Sequence, residues 1–79
     1  MIRGTITDFG NINGKETVEV SVRAGSKPGA VVAARLRAMS IIPMREQAVG
    51  EIRNVSNMRF FDQWVVTVQD KKELENVGR

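Results

Sequence analysis

The chain contains no histidine, no cysteine and no tyrosine, and only two prolines. Each absence removes a class of chemistry. Without histidine, the commonest general base and the commonest metal ligand are missing. Without cysteine there is no thiol nucleophile, no thiolate metal site and no disulfide framework, a composition suited to a reducing compartment. No apolar run approaches the roughly 18 residues that signal a membrane span. The opening Met1-Ile2-Arg3-Gly4-Thr5-Ile6-Thr7-Asp8 has no continuous apolar stretch of the kind secretory signals carry. A cytoplasmic protein that works without membrane, cofactor or metal is expected.

What is present describes a small globular chain. Its 79 residues predict a single domain over 1–79, with 70–79 as a polar tail. Hydrophobic residues make up 42% and charged residues 27%, a balance that favours folding over disorder. A domain of this size buries only about 60% of its unfolded surface, so one modest core must suffice. The net charge of +3 is unevenly spread. Residues 23–59 hold Arg23, Lys27, Arg35, Arg37, Arg45, Arg53 and Arg59 against Glu46 and Glu51, whereas both flanking segments are slightly acidic. Such a basic middle suits phosphate or an acidic protein surface as a partner.

Thr17-Val18-Glu19-Val20-Ser21-Val22-Arg23-Ala24 alternates strictly, which predicts a strand with Val18, Val20, Val22 and Ala24 on its buried face. The Thr- and Ile-rich segment from Ile2 to Phe9 is its expected partner, joined through an Asn13-Gly14 turn whose residues both tolerate positive φ. A plain two-residue turn would set Thr5, Thr7 and Phe9 opposite the valines. A bulge at Gly10 would restore the register, and the pattern alone leaves both arrangements open.

Helical signals follow. Ser26 is placed to cap a first turn containing Pro28, and Pro43 ends the helix around Ser40 to Ile42. Val32, Leu36 and Met39 fall at i, i+4 and i+7, which predicts a core-facing stripe flanked by Arg35 and Arg37. Ala30, Ala34 and Ala38 would then face outward, as good helix formers or as a surface for close approach by a partner. Two further strands are expected at 49–55 and 64–68, separated by a turn at Ser56-Asn57-Met58-Arg59. The expected fold is α+β: a mainly antiparallel sheet of about four strands in the order β-β-α-β-β, with one helix packed on one face.

The chemical inventory is thin. The nearest carboxylate pairs, Asp8 with Glu19 and Glu46 with Glu51, have no spacing that marks a shared pocket, and solvated charges account for them. Gly25-Ser26-Lys27-Pro28-Gly29 shares its composition with a phosphate loop but not the required residue order, and helix capping explains it. Arg59-Phe60-Phe61 with Trp64 supplies a cation beside aromatics, as nucleic-acid stacking needs, yet a small core has first claim on such rings. No enzyme is expected.

The run Arg23-Ala24-Gly25-Ser26-Lys27-Pro28-Gly29-Ala30, leading into Ala33-Ala34 and Ala38-Met39, resembles the small phage-encoded anti-CRISPR proteins of the type I-F group. The likeness covers residues 23–39. It implies a non-catalytic phage or prophage inhibitor that binds the CRISPR–Cas effector (surveillance) complex in the host cytoplasm. Many such inhibitors are acidic DNA mimics; this chain is basic, so mimicry is not expected, and no residue-level site carries over. The alternative expectation is a small basic nucleic-acid-binding protein. Both place the partner on Arg35, Arg37, Arg45, Arg53 and Arg59, because the planar guanidinium pairs two-pronged with carboxylate or phosphate.

Overall fold

The computed structural model describes residues 4–55 and 62–71. Strand β1 (Gly4–Ile12) and strand β2 (Lys15–Ala24) form a hairpin, helix α1 (Lys27–Ala38) follows, and a 3-10 turn (Met44–Glu46) leads into β3 (Gln47–Asn54) and β4 (Asp62–Asp70). All pairs are antiparallel in the order β1-β2-β4-β3. The α+β architecture with β-β-α-β-β order is therefore as expected. Because β4 lies between β2 and β3, those two strands run parallel, and the chain must travel back along the sheet between them. Helix α1 makes that return, about 18 Å for 12 residues. The expected turn at 56–59, Phe60, Phe61 and the tail from Lys72 lie outside the described residues. Asp70, assigned to that tail, instead ends β4.

The hairpin turn is at Asn13-Gly14, with φ of 54° and 85°. Gly10 resolves the register. It adopts φ of 71°, and the pairing slips by one residue between Asp8↔Val18 and Gly10↔Thr17. The Gly10 N–H donates to the Asp8 carboxylate at 2.8 Å, fixing the bulge locally. Ile6 thereby stands opposite Val20 and packs on the core, while Phe9, the extra residue, is exposed. A second irregularity separates Val49↔Val68 from Ile52↔Val66 and keeps both Val49 and Ile52 against the core.

Ser26 caps α1, its Oγ accepting from the Gly29 N–H at 3.2 Å, and Pro28 occupies the first turn. The helix ends at Ala38, whose carbonyl accepts from the Ile41 and Ile42 amides, just before the expected stop.

Its orientation reverses the expectation. Ala30, Ala34 and Ala38 are fully buried, whereas Val32 is 59%, Leu36 39% and Met39 53% exposed. The reason is volume. The sheet contributes Val18, Val20, Val22, Val66 and Val68 to the core, all buried, so it supplies the bulk and the helix supplies small residues that allow close approach. Only Gly25 and Ser26 separate β2 from α1, which starts the helix hard against the sheet. Ile42, beyond the helix end, turns inward as the largest fully buried side chain.

This packing makes a paired prediction for urea denaturation. Ala34→Leu overfills the interface and should cost about 1–3 kcal/mol, whereas Leu36→Ala should change stability by no more than about 0.5 kcal/mol. The reverse ranking would show that the helix is rotated.

Candidate binding surface

The arginines expected to share one surface are dispersed. Arg59 lies outside the described residues. Arg53 sits on the sheet face away from α1, 3.4 Å from Glu19 and 3.8 Å from Glu51, so its charge is met within the sheet. Arg45 projects from the 3-10 turn with its side chain 91% exposed, 3.9 Å from Glu46. Arg37 is exposed near the end of α1.

Arg35 is a structural residue. Its Nε donates to Gln47 Oε1 at 3.1 Å and its Nη2 donates to the Met44 carbonyl at 3.1 Å. The buried Gln47 returns the bond, its Nε2 donating to the carbonyls of Arg35 (2.9 Å) and Ile42 (3.1 Å). The two side chains thus clamp the last turns of α1, the 3-10 turn and the start of β3. The Arg35 carbonyl is among those that a helix end leaves without an intrahelical partner, and those of Ile42 and Met44 lie in the connection that follows. Trp64 is similarly committed: it packs against the core and its indole N–H donates to the Ala24 carbonyl at 3.2 Å.

Two features depart from the sequence expectations. The first is the outward apolar stripe of α1, Val32, Leu36 and Met39, with the exposed Ile41 just after it. Comparing side-chain volumes of the alanine row and the valine strand would have found it. The second is an acidic group: Asp8 pairs by a side-chain hydrogen bond with Glu16 rather than lying by Glu19, and Asp70 adds its charge. The hydrogen bond from Glu16, then the Gly10 amide, hold the Asp8 carboxyl below its usual range. Its bond to Asp8, burial, and repulsion from Asp8 and Asp70 push Glu16 upward. One Glu16 oxygen, Oε2, is sealed from solvent without a hydrogen-bond partner. Among the described residues, no group of three potential ligands is arranged to hold a metal ion, and no helix is long and apolar enough to cross a membrane. Compared with known protein families, curated proteins and solved structures, the chain matches none.

Gln47→Ala would strip the clamp of its central residue and leave buried carbonyls unsatisfied. It should cost about 1–3 kcal/mol by urea denaturation, and an unchanged midpoint would refute the clamp.

The acidic pair predicts a pH dependence with two opposing limbs. Glu16 binds its proton more tightly folded than unfolded, so stability rises as pH falls from neutral toward the usual glutamate value. Asp8 binds its proton less tightly folded, so its contribution is present above the usual aspartate value and is lost as pH falls below it. Glu16→Gln removes the first limb while leaving an amide that can donate to Asp8. Melting curves should show this variant more stable than the parent at neutral pH, with the gap closing on acidification. A gap independent of pH would reject the assignment.

Proposed function

We propose that this chain is a non-enzymatic phage or prophage protein that inhibits a type I CRISPR–Cas system by binding its effector complex in the bacterial host cytoplasm. The observation that carries this reading is the apolar stripe of Val32, Leu36 and Met39, held outward on a helix whose other face is locked to the sheet. A small domain with few large apolar side chains gains nothing in its own fold from exposing three of them in register, whereas a docking face needs them. The same helix follows the Arg23–Ala30 joint on which the anti-CRISPR resemblance rests. A chain lacking histidine and cysteine is better equipped to bind than to catalyse.

Nucleic-acid binding is the second reading, favoured by the cations of the helical layer. It is weakened by the dispersal of the arginines: Arg35 is spent on the Gln47 clamp and Arg53 on Glu19, on different sides of the molecule. Phosphate tracking needs cations gathered along one path.

Expression in a host immune through a type I system should restore plaquing of a targeted phage by orders of magnitude, and purified protein should bind the purified effector complex. Failure to restore plaquing, with duplex DNA binding that falls log-linearly with salt, would replace this reading with the second.

A further inference from the structure

We infer that Asn13 is a site of spontaneous modification, losing its side-chain amide by deamidation at a rate set by opening of the β1–β2 turn. The chemistry belongs to the pair Asn13-Gly14. The Gly14 backbone nitrogen attacks the Asn13 Cγ, a new C–N bond closes a succinimide ring, and the side-chain nitrogen leaves as ammonia. Water then opens the ring at either carbonyl and leaves aspartate or isoaspartate at position 13. The reaction consumes a water molecule, releases ammonia and needs no other reactant. Glycine sets no Cβ beside the attacking nitrogen. The other asparagines, Asn11, Asn54, Asn57 and Asn76, precede Ile12, Val55, Met58 and Val77, whose side chains hinder ring closure.

The folded turn holds the reaction back. Asn13 and Gly14 have φ of 54° and 85°, the left-handed pair of a type I′ turn, with Ile12 opposite Lys15 across it. The succinimide ring requires an Asn13 ψ outside the type I′ range, so it cannot close while that pairing holds. Asn13 is exposed, but Gly14, which supplies the nucleophile, is buried. Opening must therefore come first, and the ladder is built to allow it locally. β1 is an edge strand, and the register shift at Gly10 separates the tip, residues 10–17, from the rest of the hairpin. Where the product is isoaspartate, the turn cannot re-form. The backbone then runs through the side-chain Cβ and Cγ and is longer by a methylene. A two-residue turn sets the pairs Ile12↔Lys15, Asn11↔Glu16 and Gly10↔Thr17, so the added length undoes the ladder from the tip inward.

The test follows the folded protein at mildly alkaline pH beside the same chain unfolded in urea. The tryptic peptide Gly4–Lys15 contains both Asn11 and Asn13, which makes Asn11 an internal control. Fragmentation mass spectrometry locates the exchange of amide for acid, and isoaspartyl methyltransferase labels isoaspartate. Conversion should reach Asn13 well before Asn11, and should be about tenfold or more slower in the folded protein than in urea. Gly10→Ala meets no neighbouring atom but strains a φ of 71°, so it should loosen the tip and speed conversion in the folded protein about fivefold. Circular dichroism confirms that this variant folds. The isoaspartate form, separated by ion exchange, should unfold at lower urea than the parent. Asn13→Asp carries the new charge without the added length and tolerates the left-handed conformation, so it should keep the parent's midpoint.

Conversion at Asn11 as early as at Asn13 would overturn the site. So would a folded protein that stays intact, with and without Gly10→Ala, while the unfolded chain converts. Equal rates folded and in urea would overturn control by the turn, as would a Gly10→Ala rate no faster than the parent's. An isoaspartate form as stable as Asn13→Asp would overturn the break in register.

Discussion

The fold turns on the contact between a valine-rich sheet face and an alanine row. Val18, Val20 and Val22 from β2 and Val66 and Val68 from β4 lie in register across the centre of the sheet and fill the space above it. Ala30, Ala34 and Ala38 add little volume, so α1 can lie close enough to exclude water from all eight side chains. In that gap there is no room for Leu36 or Met39. The larger apolar residues of the helix are therefore displaced to its outer face by the shape of the sheet, against their own preference for burial. The rest of the helical layer serves this contact: the Ser26 cap begins α1 close to the sheet, Ile42 seals the core beyond its end, and the Arg35–Gln47 clamp ties it to β3.

That contact depends in turn on register. Side-chain period in a strand is two, so a slip of one residue exchanges the faces completely. The Asn13-Gly14 turn alone would have turned Thr5 and Thr7 toward the helix. One glycine in the left-handed region removes that conflict, bringing Ile6 inward at the expense of exposing Phe9. The same correction places Asp8 opposite Val18, two residues from Glu16, and so creates the carboxyl pair. A hydrophobic requirement of the core thus leaves an electrostatic cost near the end of the sheet.

Local signals were legible, and non-local ones were not. Valine alternation, the Asn-Gly turn, the Ser26 cap and the breaker at Pro43 each act within a few residues, and each marks its element. The rotation of α1 was misread because an amphipathic pattern ranks faces by hydrophobicity. Packing ranks them by fit, and an alanine row is nearly silent on the first scale. Arg35 looked like a surface cation for a related reason. Its partner Gln47 is 12 residues away, across a turn whose geometry has no sequence signature. Asp8 was matched with Glu19 rather than Glu16 because that choice depends on where the bulge falls.

Arginine content is accordingly a poor guide to a binding surface in so small a domain. Of the described candidates, Arg35 joins elements that have few apolar residues to spare, Arg53 meets carboxylates of β2 and β3, and Arg45 lies beside Glu46. What remains is a division between layers. The sheet pairs acids and bases and neutralises much of its own charge, while α1 bears Lys27, Arg35 and Arg37 without a carboxylate of its own and exposes its larger apolar residues. A soluble monomer would be served better by the opposite assignment, polar residues outside and leucine within. Because the valine face already fills the core, those outward residues contribute little to its packing. A polar substitution at Val32, Leu36 or Met39 would have been tolerated by the fold. Val32, Leu36 and Met39 thus stand in one exposed line that the packing of the core places but does not use.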